Sequence, residues 1–434
     1  MLFEKISIID ENFELQRDRY VLVRDGRIVS ITGKAPENYS GARYHGEGRL
    51  LMPGMVNTHS HLPMTLMRGY GDGLTLQSWL FDRIFPFEDK MTDEDAFWGA
   101  LLGIAELLAG GVTSVSDMYM FGDSVCKAAE LAGIKCNFAR CISCSDDRPL
   151  GEIRSFGQAL DIMRDYDGAN GGRIRAELAL HAEYTSCDGV IAQFADYVRS
   201  HDVRVSTHIS ETRQEHEECK QRHGGMTPVQ YFESKGLFDN KKAFAAHCVW
   251  IEPEDREILA KHGAAVAHCP SSNMKLGSGL ADVKAMLDAG LTVGIGTDGA
   301  GSNNNLDMFE EMHLAALTAS AKKLNAAAIA PKELLRMATR NGALMQGRGD
   351  CGLIKPGFRA DLAVIDLQKP HLCPQNDVVS ALVYSAGAQD VVLTMVDGEV
   401  VYENGRFAHI DTDEAMSRAE KAVCGIKSRL DRQN

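Results

Sequence analysis

A strand followed by a helix recurs through the middle of this chain, and the repeat leaves few folds open. Short apolar stretches that end in polar residues alternate with stretches of helical periodicity, which predicts parallel strands joined by helices. The predicted strands are residues 54–57, 111–117, 135–141, 173–181, 203–208, 243–248, 264–268 and 292–297. Eight such units predict an α/β protein of the (β/α)8 type, a TIM barrel, with its functional site at the carboxyl ends of the strands.

The two ends of the chain show a different pattern, of short strands and tight turns. Asp25-Gly26 and Asp397-Gly398 each stand between apolar stretches, which is typical of a two-residue hairpin turn. We therefore expect both ends to pair into one small β-sandwich beside the barrel. The predicted units are residues 1–52 with 357–412 as the sandwich, 53–356 as the barrel and 413–434 as a C-terminal helix.

His59-Ser60-His61 follows the first predicted barrel strand. Because side chains alternate along a strand, two histidines separated by one residue lie on the same side and can share one metal ion. Taken singly, an H-x-H pair is common in proteins, and Asp298 could simply cap a helix. His208 and Asp298, however, also end predicted strands, so all of these side chains would meet at one end of the barrel. Three histidines and one aspartate predict a single metal site.

The ligand set also bears on the number and the kind of metal ions. A lysine at a strand end could carry a carbamate that bridges two ions, but the fourth strand ends in His181 instead. We therefore expect one divalent ion. A site of three histidines and one aspartate that keeps one position open suits Zn2+, and Fe2+ or Ni2+ would also fit.

Glu211, His247 and Asp298 are the predicted catalytic residues. A metal ion lowers the pKa of bound water towards neutrality, so that hydroxide can attack an electrophilic sp2 carbon. Asp298 and His247 would orient that hydroxide, and Glu211, three residues after His208, would carry a proton to a ring nitrogen of the substrate. Glu211 could instead be a surface carboxylate at a helix start and His247 a packed imidazole. His181 is a further candidate for substrate contact.

Amino-acid composition and net charge limit the kinds of partner that we expect this protein to bind. The net charge of −14 argues against a nucleic-acid-binding surface, which would be basic. Neither a long apolar run nor a signal-peptide pattern is present, so we expect no membrane association.

The 11 cysteines, several of them in apolar stretches, favour buried thiols in a reducing cytoplasm. The single C-x-x-C at 141–144 is explained by ordinary thiols near a strand end, and homo-oligomer formation is left open.

Five motifs resemble those of the amidohydrolase superfamily, in its branch with one metal ion. They are residues 53–61 (PGMVNTHSH), 207–211 (THISE), 246–248 (AHC), 268–273 (HCPSSN) and 296–299 (GTDG). The resemblance covers nearly the whole chain. It implies the same barrel, the same metal site and a hydrolytic reaction.

Within that superfamily the chain is most similar to the 5′-methylthioadenosine/S-adenosylhomocysteine deaminases. Trp79 with residues 85–89, and residues 298–304, carry this narrower resemblance. It implies that Glu88 binds the ribose hydroxyls, which suits a carboxylate facing a cis-diol, and that Ser302 contacts the base. Glu88 could instead be an acidic residue that precedes a helix.

The residues expected near the 5′ end of the substrate are less uniform. Arg140 and Arg148 stand where the family has arginines near the 5′ substituent; they could bind a carboxylate there or be surface charges. The family usually has His-x-Pro-Tyr after the fourth strand, whereas this chain has His181-Ala182-Glu183-Tyr184. Glu183 would then place a charge near the substrate mouth or lie in a solvated loop.

The resemblance implies a metal-dependent deaminase that converts 5′-substituted adenosines to the inosine analogue and ammonia. S-adenosylhomocysteine, 5′-methylthioadenosine and adenosine are the candidate substrates. A second hypothesis is a deaminase or chlorohydrolase of another heterocycle, such as guanine, a pterin or a triazine; Glu88 and Trp79 favour a nucleoside. A third hypothesis, an inactive structural relative, is disfavoured because every expected metal ligand is present.

Overall fold

A computed structural model describes residues 1–432. The strands are β1 (Leu2–Ile9), β2 (Leu15–Arg24), β3 (Arg27–Thr32), β4 (Arg43–His45), β5 (Arg49–Pro53), β6 (Met55–Ser60), β7 (Val112–Tyr119), β8 (Lys135–Ile142), β9 (Ile174–Leu180), β10 (Val205–Ile209), β11 (Ala243–His247), β12 (Ala265–His268), β13 (Val293–Ile295), β14 (Leu362–Asp366), β15 (Val391–Val396), β16 (Glu399–Glu403) and β17 (Arg406–Phe407). The α-helices are α1 (Leu76–Trp79), α2 (Phe85–Glu88), α3 (Asp93–Ala109), α4 (Gly122–Ala132), α5 (Arg154–Tyr166), α6 (Ala169–Gly172), α7 (Asp188–His201), α8 (Arg213–Arg222), α9 (Pro228–Ser234), α10 (Pro253–Lys261), α11 (Pro270–Lys275), α12 (Val283–Asp288), α13 (Ala300–Asn303), α14 (Met308–Lys323), α15 (Pro331–Arg336), α16 (Gly342–Met345), α17 (Val378–Tyr384) and α18 (Thr412–Asp431). A π-helical turn, Leu80–Ile84, joins α1 to α2.

Strands β6 to β13 form the barrel. They are parallel and pair in chain order, and each of the eight predicted strands overlaps one of them. The first and last strands meet through a backbone hydrogen bond from Asp298 to the carbonyl of His59 at 3.0 Å. Across the same seam the side-chain amide of Asn57 donates to Thr297 at 2.7 Å. The predicted (β/α)8 barrel is therefore confirmed.

Both ends of the chain contribute to a second, mixed sheet of nine strands. Strand β5 from the N-terminal end pairs with β14 from the C-terminal end, as the predicted pairing of the two ends requires. The turns Asp25-Gly26 and Asp397-Gly398 have φ of 51°, 73°, 47° and 78°, because a type I′ hairpin turn needs positive φ at both central residues. Buried side chains from both ends form a core of their own beside the barrel core.

The C-terminal helix α18 lies against α3 of the barrel. Arg429 of α18 donates to the backbone carbonyl of Lys90 at 2.7 Å, just before α3 begins. The predicted closing helix is observed over Thr412–Asp431; Gln433 and Asn434, which the prediction also includes, lie outside the described residues. Across residues 1–432, none of the helices combines the length and apolar composition that a membrane crossing requires.

Capping residues set where the barrel helices begin, and so how long the loops before them are. Thr92 accepts a hydrogen bond from the backbone of Asp95 at 3.2 Å at the start of α3. Thr212 does the same for Glu215 at 3.1 Å at the start of α8. Each cap pairs an N-terminal N–H group that would otherwise lack a partner. The loop between β10 and α8, which holds Glu211, therefore ends at a defined residue.

Candidate metal centre and substrate cavity

Four side chains converge at the carboxyl end of the barrel. His59 lies in β6 and His61 just after it, His208 lies in β10, and Asp298 follows β13. Nε2 of His61 is 3.2 Å and Nε2 of His59 is 3.6 Å from Oδ1 of Asp298. The ring centroids of His59 and His208 are 4.9 Å apart. These are the four residues predicted as metal ligands, and the fold brings them together.

Hydrogen bonds on the far side orient two of the imidazole rings. Nδ1 of His61 donates to the carbonyl of Met118. Nδ1 of His208 donates to the carbonyl of His181 at 2.6 Å. With Nδ1 as the donor, the neutral form of each ring carries its lone pair on Nε2, which is the form of imidazole that binds a metal.

The remaining atoms of this group fit a divalent metal ion. Oδ2 of Asp298 accepts hydrogen bonds from Ser272 and Ser302 at 2.6 and 2.8 Å, so Oδ1 is left for the histidines. Nε2 of His59 is buried and has no hydrogen-bond partner among residues 1–432. Burial, together with the neighbouring imidazoles, holds the pKa of His59 well below its usual value, so the ring is neutral. Neutral imidazoles and a carboxylate suit a divalent transition metal.

Glu211 and His247 lie beside this group and face each other. Oε2 of Glu211 is 3.9 Å from Nε2 of His247, and its Oε1 accepts a hydrogen bond from Ser278 at 3.2 Å. Nδ1 of His247 donates to the side-chain carbonyl of Asn273 at 2.8 Å. Burial raises the pKa of Glu211. Burial disfavours protonation of His247, but the carboxylates of Glu211 and Asp298 outweigh it and raise the pKa of the imidazole. A buried carboxylate that faces an imidazole in this way is suited to proton transfer.

The backbone is strained where these residues sit. Glu215 accepts hydrogen bonds from the backbone N–H groups of Ser210 and Glu211, both at 2.8 Å, which shapes the loop after β10. Ser210 has a φ of 49°, and His247 and Asp298 have φ of 70° and 60°. Residues with side chains rarely adopt positive φ, and such strain concentrates at functional sites.

A cavity of about 410 Å3 opens onto these groups. Its wall contains His61, His208, Asp298, Glu211 and His247, together with Trp79, Glu88, Arg140 and His181 from the predicted substrate contacts. Apolar residues of α1, α2 and the turn between them form one side of the cavity. Two predicted contacts, Arg148 and Ser302, do not belong to this wall.

Glu88 and Trp79 offer polar atoms to the cavity from that largely apolar side. Oε1 of Glu88 accepts a hydrogen bond from the hydroxyl of Tyr119 at 2.7 Å, and Oε2 remains for a ligand. Burial raises the pKa of Glu88 to about 7. Nε1 of Trp79 is buried and finds no partner in the described part of the chain. Tyr119 was not predicted, although it ends β7 and so stands at a strand end as the metal ligands do.

The structure separates the two arginines. Arg140 lies in the cavity wall, where its Nε and Nη2 donate to the side-chain carbonyl of Gln158 at 3.2 and 3.1 Å. The side chain of Arg148 is 46% exposed and pairs with Asp146. The backbone carbonyl of Arg148 is held by Gln193 of α7, outside the barrel. Of the two arginines, Arg140 alone belongs to the cavity wall, and a contact of either with the 5′ substituent stays a prediction.

Ser302 and His181 also differ in where they lie. The hydroxyl of Ser302 is 2.8 Å from Oδ2 of Asp298 and is buried behind it. Helix α13 turns the serine towards Asp298, a candidate ligand, and a contact between Ser302 and the base stays a prediction. His181 faces the cavity, and burial lowers its pKa to about 4, so the ring is neutral near pH 7.

Glu183, the departure from the family pattern, is neither at the mouth nor in a solvated loop. It is 3% exposed, and its carboxylate accepts hydrogen bonds from Arg222 at 2.5 and 3.1 Å and from His223 at 2.7 Å. Both partners come from the end of α8. The carboxylate is therefore neutralised outside the cavity wall, and it adds no free charge to a ligand there.

Ser272, Asn273 and Ser278 are further site residues that sequence reasoning missed. The first two belong to the stretch 268–273, which resembles a family motif but had no role assigned to these positions. Ser278 follows α11 and shows no local pattern that marks it. All three act by holding Asp298, His247 or Glu211 in place, a role that becomes visible only in three dimensions.

Comparison with known proteins agrees with this geometry. The amidohydrolase family model matches residues 50–401. A 5-methylthioadenosine/S-adenosylhomocysteine deaminase of Pelotomaculum thermopropionicum is 38% identical over 416 residues, 95% of each chain. A 5′-deoxyadenosine deaminase of Methanosarcina mazei is 38% identical over 410 residues, 94% of each chain. A solved structure of an adenosine deaminase from Xanthomonas campestris with bound zinc matches at a TM-score of 0.92 and 31% identity, over 98% of each chain.

The similarity extends over the barrel and the mixed sheet alike. The family match begins in β5 and ends in β16, so it includes all eight barrel strands and every candidate ligand. A relative of nearly equal length is 38% identical over 95% of each chain, and a solved structure has the same fold over 98% of each chain. On these grounds the chain belongs to the amidohydrolase family.

Proposed function

We propose that this protein is a zinc-dependent deaminase of 5′-substituted adenosines, which it converts to the inosine analogue and ammonia. The observation that carries the proposal is one cavity that joins the histidine–aspartate group and Glu211 to a second carboxylate, Glu88, with an oxygen left for a ribose. The names of the relatives point to the same class of substrate: 5-methylthioadenosine, S-adenosylhomocysteine, 5′-deoxyadenosine and adenosine.

In this proposal the zinc ion is held by His59, His61, His208 and Asp298. When bound, the ion supplies the Lewis acidity that makes water nucleophilic at neutral pH. Oε2 of Glu211 accepts a proton from the attacking water and delivers it to the ring nitrogen next to the reacting carbon of the purine. Nε2 of His247 donates a hydrogen bond to the same water, and Asn273 holds the imidazole in the orientation that this requires.

The substrate contacts follow from the polar atoms left in the wall. Oε2 of Glu88 accepts hydrogen bonds from the ribose hydroxyls, while Tyr119 holds the other oxygen. Nε1 of Trp79 donates to the nucleoside. Arg140 faces the 5′ substituent, where a carboxylate such as that of S-adenosylhomocysteine would pair with it.

Ammonia release and the accompanying ultraviolet change test the proposal directly. The panel is S-adenosylhomocysteine, 5′-methylthioadenosine, 5′-deoxyadenosine, adenosine, adenine, guanine and cytosine, with zinc-loaded protein. We expect turnover of the adenosines and none of the free bases, and the ranking of the adenosines assigns the 5′ pocket. Turnover of a free base alone would favour the second hypothesis. Elemental analysis of protein purified without added metal shows whether zinc, iron or nickel is the resident ion.

We also infer a cytoplasmic location. The 11 cysteines of the chain all lie within residues 1–432 and are free thiols, which is typical of proteins kept in a reducing compartment. Cell fractionation followed by detection of the protein checks this inference; recovery outside the cytoplasmic fraction would contradict it.

A further inference from the structure

Two thiols converge on one backbone oxygen beside the substrate cavity. Sγ of Cys144 lies 3.4 Å and Sγ of Cys187 lies 3.3 Å from the carbonyl oxygen of Asp146. Two sulfur atoms that share one acceptor are near neighbours. Both side chains are partly exposed, so a small molecule in solution can reach them.

The backbone already holds these two cysteines together. The N–H of Cys187 donates to the carbonyl of Cys144 at 2.8 Å, and the N–H of Cys144 donates to the hydroxyl of Ser186 at 3.2 Å. Cys144 and Ser186 also form an isolated parallel bridge between the loops that follow β8 and β9. These backbone hydrogen bonds hold the two loops together without a covalent link. The two thiols therefore stay close, at a high effective concentration relative to each other.

The other cysteines lack this combination of exposure and a neighbour. Cys141, in the same C-x-x-C stretch, lies in the cavity wall, and burial raises the pKa of its thiol to about 12, which makes it unreactive. Six other cysteines are buried: Cys126, Cys136, Cys219, Cys248, Cys269 and Cys351. Cys373 and Cys424 are exposed, but they lie in the C-terminal part of the chain, after β14 and within α18.

We propose that Cys144 and Cys187 form a redox modification site that takes up low-molecular-weight disulfides and closes to an internal disulfide. One cysteine thiolate attacks a sulfur of glutathione disulfide, forms a mixed disulfide and releases one glutathione, which takes up the proton. The second cysteine then attacks the mixed disulfide at the protein sulfur and releases the second glutathione with its proton. Two cysteine thiols are oxidised and one glutathione disulfide is reduced, so atoms and electrons balance.

The disulfide would join two loops that line the cavity. Ser143 and Ser145 flank Cys144, and Tyr184 and Thr185 precede Cys187; all four lie in the cavity wall. The bond would therefore fix the position of one loop against the other on the side of the cavity where Arg140 lies. It makes use of a contact that the fold has already formed, so little strain is expected.

Peptide mapping by mass spectrometry tests the pairing. Zinc-loaded protein is incubated with glutathione disulfide, blocked with N-ethylmaleimide and digested without reduction. We expect a peptide pair joined through Cys144 and Cys187 that dithiothreitol separates. Cys144→Ser should leave Cys187 as a stable mixed disulfide with glutathione, whereas the matched variant Cys141→Ser should still form the pair. Two separately glutathionylated cysteines in the unmodified chain, or two unreacted ones, would overturn the proposal.

Thermal unfolding tests whether the geometry is preformed. A disulfide that forms without strain restricts the unfolded chain and raises Tm, by a few degrees here. Oxidised protein should therefore melt above reduced protein, and Cys187→Ser should melt at one temperature under both conditions. An unchanged or lower Tm in the cross-linked protein would show that the loops must move to form the bond, and would rule out a preformed site.

Discussion

Proton transfer in this site depends on single residues held by named partners. Glu211 is buried, is bonded to Ser278 and faces His247 at 3.9 Å. A carboxylate in such a place has a raised pKa, which suits a group that accepts a proton in one step and returns it in the next. Ser278 and His247 hold the Glu211 carboxylate in place and so fix the position from which it transfers that proton.

Replacement of Glu211 should slow the reaction strongly and leave metal binding unchanged. Glu211→Gln removes the proton carrier but no candidate ligand, so we expect the zinc content to stay and kcat to fall by about 10²-fold or more. Glu217→Gln, at an exposed position of α8, is the matched control and should behave as the unmodified protein. Near-normal turnover by Glu211→Gln would remove the role that we assign to this residue.

Glu88 should make nucleoside binding depend on pH. Its pKa is raised to about 7 by burial, and only the carboxylate form accepts both ribose hydroxyls, so KM should fall as the pH rises through about 7. Tyr119→Phe removes a hydrogen bond that favours the carboxylate, and the fall in KM should move to higher pH. The measurement is KM across this range for adenosine and for 2′,3′-dideoxyadenosine. The same profile for both compounds would argue against ribose binding by Glu88.

At the level of elements, the ends of the strands and the starts of the helices contribute to the site in different ways. The strands deliver side chains to one end of the barrel, while the first turn of the next helix shapes the loop between them. Glu215 of α8 shows this, because its carboxylate binds the backbone of Ser210 and Glu211 without reaching the cavity wall. A helix start thereby controls the placement of a catalytic side chain.

Loss of the Glu215 carboxylate should therefore lower activity through position alone. In Glu215→Ala the backbone N–H groups of Ser210, Glu211 and Thr212 lose an acceptor. We expect kcat to fall about 10-fold or more while the zinc content is kept. Glu217→Ala in the same helix controls for the loss of charge. Circular dichroism confirms that the fold is intact. Full activity in Glu215→Ala would mean that the loop needs no such support.

At the level of the whole molecule, a buried ion cluster joins the barrel to the mixed sheet. Lys135, the first residue of β8, pairs with Asp361 next to β14 and with Asp397 in the turn after β15, the latter at 2.8 Å. Arg173 pairs with the same turn at 3.3 Å from Asp397. The cluster lies at the amino ends of the barrel strands, away from the cavity, so it serves stability and not catalysis.

Removal of the lysine should destabilise the molecule without changing the chemistry. Lys135→Met leaves a buried carboxylate without its cation, and we expect the free energy of unfolding in urea to fall by about 3–5 kcal/mol. Lys127→Met breaks an exposed pair in α4 and should leave that free energy nearly unchanged. The folded fraction of Lys135→Met should keep its kcat. A loss as small as that of the surface variant would mean that Lys135 is dispensable.

Much of the fold and the core of the site could be predicted from the sequence alone. The periodicity of apolar residues indicates which side chains are buried, so the eight strands and their order were predictable. The turns at Asp25-Gly26 and Asp397-Gly398 were predictable as well. Strand alternation reports direction, so His59 and His61 could be placed on one side. Because parallel strands end together, His208 and Asp298 could be placed with them. These are local rules, and local sequence is sufficient to apply them.

Only the tertiary structure decided which loop side chains face the cavity. Arg140 and Arg148 are of one residue type and lie eight positions apart, yet α7 holds the second one outside. Glu183 pairs with Arg222, and Cys144 lies beside Cys187; in each case the partner is about 40 positions away in the sequence. A loop has no repeating geometry, so its side chains take their direction from whatever distant segment packs beside them. That contact exists only once the barrel has closed.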